Sequence, residues 1–150
     1  MIARIRPQYF PMTLNGALLL PDGTPVRGRG LRRPLPSGPL PDFGLYVVGR
    51  PPQVPWPSEW VRWPDFWLPS DSARAATAIR GLYDRAAAGA DVEVACGGGV
   101  GRTGTVLACL ATLTGLGPDE AVAWVRANHH RRAVETPWQR RWIHRFAASL

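Results

Sequence analysis

The second half of the chain alternates between helical and strand patterns of apolar residues. Four segments place apolar residues at helical spacing, and the one that follows a glycine-rich turn is apolar on nearly every face, which predicts a buried helix. Proline in a first helical turn and Ser or Asp at an N-cap mark where helices begin. Between the first two helices, 91–95 alternates apolar and polar residues and is predicted to be a strand. The predicted helices begin near Ser70 or Asp71, Arg102, Pro118 and Pro137.

The first half is predicted to consist of strands and loops. Fourteen of the 16 prolines lie in residues 1–69, where they disfavour long helices. The dipeptide Asp22-Gly23 favours a hairpin turn, and 30–41 is rich enough in Pro, Gly and Arg to predict an irregular loop. The predicted strands are 16–20, 26–29, 45–48 and 60–63. Helices around a small sheet predict an α/β architecture.

Length and composition narrow the class of protein. A chain of 150 residues with 45% hydrophobic and 19% charged residues is typical of one globular domain. No apolar run reaches the roughly 20 residues of a membrane span, and two cysteines cannot form a disulfide scaffold. The stretch from Tyr9 to Leu20 follows two arginines but lacks a clear cleavage site, so we expect no signal peptide and a cytoplasmic location.

The net charge of +7 comes entirely from arginine, since all 18 basic residues are Arg and the chain has no Lys. A chain rich in Ala, Gly, Pro and Arg with no Lys indicates a GC-rich coding bias, which accounts for most of this excess. The arginines are also spread along the chain. A nucleic-acid binder usually shows a denser basic stripe and a known module. We therefore expect no nucleic-acid partner and no membrane, while the sequence leaves the oligomeric state open.

The glycine-rich turn before the buried helix carries the strongest chemical signal. It runs Cys96-Gly97-Gly98-Gly99-Val100-Gly101-Arg102-Thr103-Gly104. Glycines let successive backbone N–H groups point inward as an anion-binding nest, and the following helix adds its N-terminal dipole. A cysteine that faces such donors has its thiolate stabilised, and an arginine can grip two oxygens of a phosphate. Nucleophile, oxyanion cradle and clamp therefore occupy one short loop.

Two simpler interpretations of this turn stay open at this point. One is a strand-to-helix turn that holds a buried structural cysteine. The other is a nucleotide-binding loop, which needs Gly, four residues and then Gly-Lys-Ser/Thr. Cys96 and Arg102 replace two of the fixed residues of that second pattern.

Three segments together resemble the cysteine-dependent protein tyrosine phosphatases. The turn has the family's pattern of Cys, five residues, Arg and then Ser or Thr, here from Cys96 to Thr103. Trp63-Pro64-Asp65 resembles the family's acid loop and places its aspartate 31 residues before the cysteine. The segment 135–139, Glu-Thr-Pro-Trp-Gln, resembles the family's glutamine loop. The short chain is similar to the compact bacterial or dual-specificity branch.

The resemblance implies an α/β fold with a small central mixed sheet flanked by helices. It implies a single phosphatase domain over residues 1–150, with an N-terminal strand and loop region, 1–55, and a catalytic core, 56–150. We find no known motif in the first of these regions.

The resemblance also implies hydrolysis of phosphate monoesters through a phosphocysteine, with no cofactor and no metal. The implied catalytic residues are Cys96 as nucleophile, Asp65 as general acid, Arg102 as phosphate clamp, Thr103 as hydrogen-bond donor to the sulfur and Gln139 as the residue that positions water. The implied phosphate-binding groups are the backbone N–H groups of Gly97, Gly98, Gly99, Val100, Gly101 and Arg102.

Two departures from the family pattern qualify this assignment. The family usually carries His immediately before the cysteine, and here that residue is Ala95. A tyrosine-bearing recognition loop of the large members is also missing. One alternative is therefore a pseudophosphatase that binds phosphate without turnover. Another is a rhodanese-like or reductase-like thiol enzyme, which has no use for an acid at Asp65.

The expected substrate is a phosphorylated protein or a small aryl phosphate, with phosphotyrosine ahead of phosphoserine and phosphothreonine. Relatives that act on phosphoinositides tend to carry lysines in the loop, and this loop has none. Phe66 and Trp67 could flank an aryl ring, although such residues are more often core. Arg131 and Arg132 could meet acidic residues beside the phosphosite or simply lie at an exposed helix end.

Three further residues are assigned structural places rather than chemical ones. Cys109 falls within the buried helix and is expected to be a small core residue. His129 and His130 are expected at a helix end rather than as ligands.

Overall fold

The structure is a computed structural model that describes residues 13–149. The start of the stretch considered as a signal peptide, with Arg4, Arg6 and Tyr9, therefore lies outside the described residues, as does the beginning of the 1–55 region. None of the helices in the described part of the chain is long and apolar enough to cross a membrane.

Five strands and four helices follow one another in the predicted order. They are β1 (Leu18–Leu19), β2 (Pro25–Gly30), β3 (Phe43–Val48), β4 (Ser58–Arg62), α1 (Ser72–Ala87), β5 (Val92–Cys96), α2 (Gly101–Leu113), α3 (Pro118–Asn128) and α4 (Pro137–Ala148). Asp71 caps α1, because its side chain accepts a hydrogen bond from the backbone N–H of Arg74. β1 pairs antiparallel with β2, so the predicted hairpin at Asp22-Gly23 is confirmed.

The strands form a single mixed sheet in the order β1-β2-β5-β3-β4. β5 lies between β2 and β3 and is parallel to both, so the strand that leads into the glycine-rich turn is central. The first half of the chain supplies the other four strands, and α1 is the crossover that brings the chain back to the middle of the sheet. The mixed sheet with four helices confirms the predicted fold class.

Helix α2 packs against one face of this sheet and is buried from Gly101 to Thr112, as its sequence predicts. A Cβ at Gly28 would lie 2.9 Å from Cδ1 of Leu107 and 3.0 Å from Cγ2 of Thr103. The close approach of β2 and α2 therefore depends on glycine at that position. This packing fixes the start of α2, and with it the far end of the glycine-rich turn.

The opposite face carries a buried charge cluster, which we define as Arg27, Arg29, Tyr46 and Glu93. Glu93 is 0% exposed, and its Oε1 accepts from Nη2 of Arg27 at 2.7 Å and from Nε of Arg29 at 2.7 Å. The Tyr46 hydroxyl donates to Oε2 of the same carboxylate at 2.6 Å. Burial opposes ionisation, but these hydrogen bonds outweigh it and lower the pKa of Glu93.

Candidate active site

The glycine-rich turn joins the end of β5 to the start of α2 at the centre of the sheet. Cys96 is the last residue of β5, and Arg102 is the second residue of α2. The chain that continues from β2 anchors the turn, because the N–H of Leu31 donates to the Cys96 carbonyl at 2.8 Å and that of Arg32 to the Gly97 carbonyl at 3.1 Å. We call residues 96–102 the phosphate loop.

The sulfur of Cys96 is buried and receives two hydrogen bonds. The backbone N–H of Gly99 lies 3.2 Å from Sγ, and the hydroxyl of Thr103 lies 3.1 Å from it. Both groups donate a hydrogen to a lone pair of the sulfur. Gly99 has φ of +75°, and a Cβ there would lie 2.5 Å from the backbone nitrogen of Gly30. Only glycine therefore allows the loop to turn this N–H toward the sulfur.

The guanidinium of Arg102 is 6% exposed and incompletely paired. Its Nη1 donates to the carbonyl of Trp63 at 2.9 Å, which ties the start of α2 to the segment after β4. Its Nε makes no hydrogen bond to any described residue, although Oδ1 of Asp65 lies 3.4 Å away as an ion-pair partner. Buried N–H groups without an acceptor are uncommon, so this one indicates a place for an additional acceptor.

Asp65 reaches the phosphate loop from the segment that follows β4. Trp63, which begins this segment, is fully buried and packs edge-on against Trp142 with ring centroids 5.3 Å apart. The indole N–H of Trp63 donates to the carbonyl of Trp67 at 2.7 Å, closing the segment into a tight loop. The sequence separates Asp65 from Arg102 widely, and the fold brings their side chains together.

Phe66 and Trp67 lie on the surface beside Asp65, with 52% and 62% of their area exposed. The alternative that they are core residues is therefore wrong. Trp67 stacks on Trp138 of α4 with ring centroids 5.6 Å apart, and the Trp138 indole N–H donates to the Phe66 carbonyl at 2.6 Å. α4 thus holds the acid loop from outside, and both aromatic rings stay accessible.

Gln139 is fully buried, and both ends of its side-chain amide contact the chain. Its Oε1 accepts from the backbone N–H of Glu135 at 3.0 Å and of Thr136 at 3.3 Å, so the predicted helix start with Thr136 as N-cap is confirmed. Its Nε2 donates to the carbonyl of Trp67 at 3.3 Å. In this arrangement the Gln139 amide links α4 to the acid loop. That Gln139 positions a water molecule stays a prediction.

Glu135 places a carboxylate next to the phosphate loop. Its Oε1 occupies the space that a Cβ at Gly101 would need. Partial burial and then the negative charge of Asp65 raise the pKa of Glu135, and Arg102 offsets part of that rise. The sequence did not predict that this carboxylate would lie near Arg102.

His129 is a contact that sequence reasoning missed. It is the C-cap residue of α3, as predicted for a helix-end residue, but its Nε2 also lies 2.7 Å from the carbonyl oxygen of Gly99. Burial lowers the pKa of His129, so the ring is neutral at pH 7. Thirty positions separate the two residues, and no motif in the sequence connects them.

The remaining predicted positions lie away from the cradle or at the surface. Cys109 is fully buried, which raises the pKa of its thiol and confirms a core position. Arg131 and Arg132 are exposed. Across residues 13–149, no group of three or more His, Cys, Asp or Glu side chains is placed to hold a metal ion.

The proteins and the family to which this chain is similar are described as phosphatases. Residues 64–147 match the family described as PTP-SAK, the Swiss Army Knife protein, DSP-PTPase phosphatase domain. A protein of Invertebrate iridescent virus 3 named as a candidate tyrosine phosphatase, 067L, is 31% identical over 91 residues. That match covers 55% of this chain and 38% of the viral protein, so this chain spans well under half the length of that relative.

Solved structures show the same fold. Tk-PTP in its active form superposes with a TM-score of 0.65 at 26% identity, covering 73% of this chain and 80% of that one. DUSP15 superposes with a TM-score of 0.58 at 17% identity, covering 71% and 69% of the two chains, and supports the fold alone. The family match spans more than half of the chain and contains Asp65, the phosphate loop and Gln139. The chain therefore belongs to the cysteine-dependent protein tyrosine phosphatase superfamily, in its compact, dual-specificity-like branch.

Proposed function

We propose that this protein is an active cysteine-dependent phosphatase that hydrolyses phosphotyrosine through a phosphocysteine intermediate, and phosphoserine or phosphothreonine secondarily. One observation carries the proposal. The buried sulfur of Cys96 accepts two hydrogen bonds, while the buried Nε of Arg102 in the same loop makes no hydrogen bond within residues 13–149. A hydrogen-bonded thiol nucleophile beside a cationic donor that can still take an acceptor suits a phosphate group bound between them.

In the first step, the Cys96 thiolate attacks phosphorus in line with the leaving oxygen. The S–P bond forms as the P–O bond to the substrate breaks. The N–H groups of the phosphate loop and the Arg102 guanidinium hold the three equatorial oxygens, where transition-state charge is spread. Asp65, already beside Arg102, gives its proton to the leaving oxygen, so a phenol or alcohol departs neutral.

In the second step, water attacks the phosphocysteine and releases inorganic phosphate. Asp65 now accepts the proton of that water, and the S–P bond breaks to return the thiolate. The Thr103 hydroxyl, 3.1 Å from the sulfur, stabilises the departing thiolate. Gln139 is assigned to orient the water, which requires its amide to release the carbonyl of Trp67.

The surface beside the acid supports an aryl substrate. Phe66 and Trp67 present exposed rings directly next to Asp65, and Trp138 backs them. Such rings would pack against a phenyl group whose phosphate lies in the loop. A phosphorylated protein or a small aryl phosphate is the substrate class that this arrangement favours.

The direct test is hydrolysis of p-nitrophenyl phosphate in the presence of a metal chelator. We expect turnover by the wild-type protein and none above background by Cys96→Ser, since a serine hydroxyl is far less ionised than a thiol. Cys109→Ala is the matched control, because it removes the other thiol without touching the site. Turnover by Cys96→Ser would contradict the thiolate mechanism, and phosphopeptide binding without any turnover would favour the pseudophosphatase alternative.

The role of Asp65 is tested by changing the leaving group. We expect Asp65→Asn to lower kcat by roughly 10²-fold on phenyl phosphate, since phenolate needs a proton as it leaves. The loss on p-nitrophenyl phosphate, whose leaving group is stable as an anion, should be clearly smaller. Equal losses on both substrates would assign Asp65 a binding role rather than proton transfer.

A further inference from the structure

We propose that His129 is a positioning residue for the phosphate loop, and that its imidazole holds the Gly99 carbonyl outward so that the following N–H joins the oxyanion cradle. The inference rests on the proposed function for its kinetic consequences, although its effect on anion binding does not require turnover. The proposal gives a role to His129, which lies outside the phosphate loop, the acid loop and the glutamine loop.

The contact itself defines the donor. Nε2 of His129 lies 2.7 Å from the Gly99 oxygen, and a carbonyl oxygen can only accept. The ring is neutral at pH 7, so it carries one N–H, and that hydrogen must be on Nε2. The loop thus receives a neutral, directed hydrogen bond from the end of α3.

This hydrogen bond orients one peptide plane of the cradle. In a trans peptide the carbonyl and the next N–H point in opposite directions, and the described chain has no cis peptide bonds. With the Gly99 carbonyl directed at His129, the N–H of Val100 must point away from His129. The N–H of Gly99 is meanwhile directed at the Cys96 sulfur at 3.2 Å. His129 therefore controls the peptide that follows the one bonded to the nucleophile.

The imidazole is held rigidly enough to do this. The N–H of His129 donates to the Val125 carbonyl at 2.8 Å, which makes the residue part of the α3 terminus. A Cβ at Gly28 would lie 3.1 Å from Cε1 of the ring, so β2 leaves just enough room for the imidazole. The glycine loop has little stiffness of its own, and Ala95, the residue before the nucleophile, has no polar side chain to restrain it.

The neighbouring histidine provides a matched control. His130 has the same side chain and is adjacent in sequence, but its Nδ1 accepts from the backbone N–H of Arg132 at 3.0 Å rather than contacting the loop. A substitution there changes the same stretch of chain and leaves the Gly99 carbonyl bonded. Differences between variants at the two positions therefore report on the loop contact.

The experiment compares His129→Gln, His129→Asn and His130→Ala with the wild-type protein. The glutamine amide nitrogen reaches about as far as Nε2 of histidine, and that of asparagine does not. Readouts are kcat and KM for p-nitrophenyl phosphate, the inhibition constant of tungstate as an oxyanion probe, and the melting temperature. We expect His129→Asn to weaken tungstate binding and lower kcat/KM about tenfold each, and His129→Gln to stay within about threefold of wild type.

A cavity of about 250 Å³ borders both His129 and Gly99, and it offers a second measurement. In His129→Ala, added imidazole should enter this space and bond the Gly99 oxygen. We expect it to restore tungstate binding and kcat together in a saturable manner, and to have no effect on His130→Ala. Loss of stability alone would not respond to imidazole.

The proposal is overturned if His129→Asn binds tungstate and turns over like wild type, or if His129→Gln is no better than His129→Asn. It is equally overturned if imidazole restores nothing. Should His129→Ala not fold, the comparison of glutamine and asparagine decides. A wild-type protein that binds tungstate but has no turnover would refute the proposed function and still allow the positioning role to be measured by binding.

Discussion

The arginines on the two faces of the sheet differ in how completely their side chains are hydrogen-bonded. On one face, Arg27 and Arg29 both bond Glu93, which Tyr46 bonds as well, so the buried charge is answered within the chain. At the loop end of the opposite face, Arg102 is also buried, but its Nε makes no hydrogen bond within the described residues and has only Asp65, 3.4 Å away, as an ion-pair partner. Burying an arginine costs desolvation free energy in both places, and only in the first does a carboxylate within the chain offset that penalty through several hydrogen bonds.

Under the proposed function, the charge cluster around Glu93 stabilises the fold and the Arg102 guanidinium binds the substrate phosphate. Desolvated charges normally find partners because an unanswered one destabilises the fold by several kcal/mol. In the proposed mechanism, the Nε of Arg102 beside the sulfur of Cys96 would bind an anion that arrives and leaves. Substitutions in the two regions should therefore affect different measurements, one stability and the other catalysis.

Among the substitutions in the two regions, we expect Arg102→Lys to have the strongest effect. Arg102→Lys keeps the charge but loses the planar fork that grips two oxygens, so we expect kcat/KM for p-nitrophenyl phosphate to fall by roughly 10³-fold. The free energy of unfolding should fall by only about 1 kcal/mol, since the hydrogen bond from Nη1 to the Trp63 carbonyl is the main contact that the fold loses. Arg50→Lys, on the exposed surface, serves as the control and should leave both quantities unaltered. A large loss of stability in Arg102→Lys would erase the contrast between the two arginine environments.

The next effect is at the structural charge. Glu93→Gln leaves the buried Arg27 and the partly buried Arg29 without their counter-charge, and we expect the free energy of unfolding at pH 7 to drop by about 3 kcal/mol. Urea titration measures it, and Glu59→Gln, a half-exposed acid 4.0 Å from Arg74, is the control. An equally stable Glu93→Gln would mean that the charge cluster contributes nothing.

The pH dependence of this effect has a definite sign. Folding lowers the pKa of Glu93, so its contribution is present above the unfolded value of about 4.3 and is lost as pH falls through the folded value. The stability difference between wild type and Glu93→Gln should therefore narrow in acid. Unfolding curves at pH 7 and near pH 3 check this, and a constant difference would contradict it.

We expect the weakest effect from substitution of Glu135, whose carboxylate lies next to the phosphate loop. Glu135→Gln removes a negative charge beside the incoming anion, so we expect tungstate inhibition to tighten by about twofold, as for a solvent-screened pair. Folding raises the pKa of Glu135, so wild-type stability relative to the variant should decrease slightly as pH rises above about 4.3. Asp84→Asn, exposed on α1, is the control. Weaker tungstate binding by Glu135→Gln would indicate that this carboxyl binds the anion as a proton donor.

Sequence reasoning succeeded where the determining interactions are local. The phosphate loop spans seven residues between a strand and a helix. Its backbone can adopt few conformations that join these two elements and place a cysteine, several glycines and an arginine within that length. The starts of α1, α3 and α4 were likewise predictable, because caps and first-turn prolines act within one turn of helix.

Sequence reasoning failed where contacts join distant segments. Phe66 and Trp67 have large aromatic side chains of the kind usually found in a core. Their exposure becomes visible only in the structure, where α4 packs against the acid loop. Glu93 lies on the polar side of an alternating strand, yet the sheet order places Arg27 and Arg29 beside it. Glu93 and Arg27 are buried there, and Arg29 is partly exposed. Nothing local distinguishes His129, bonded to the phosphate loop, from His130, which is not.

Local sequence patterns fix the short-range order of chemical groups, since a strand, a glycine turn and a helix need only neighbouring residues to form. Those patterns are enough to identify the superfamily and the cysteine of its signature loop. Only the packing of distant segments shows that the Nε of Arg102 makes no hydrogen bond within the described residues, and that His129 rather than His130 contacts the loop. Those outcomes depend on strand order and helix packing, where the free energy comes from residues far apart in the chain and no local pattern records it.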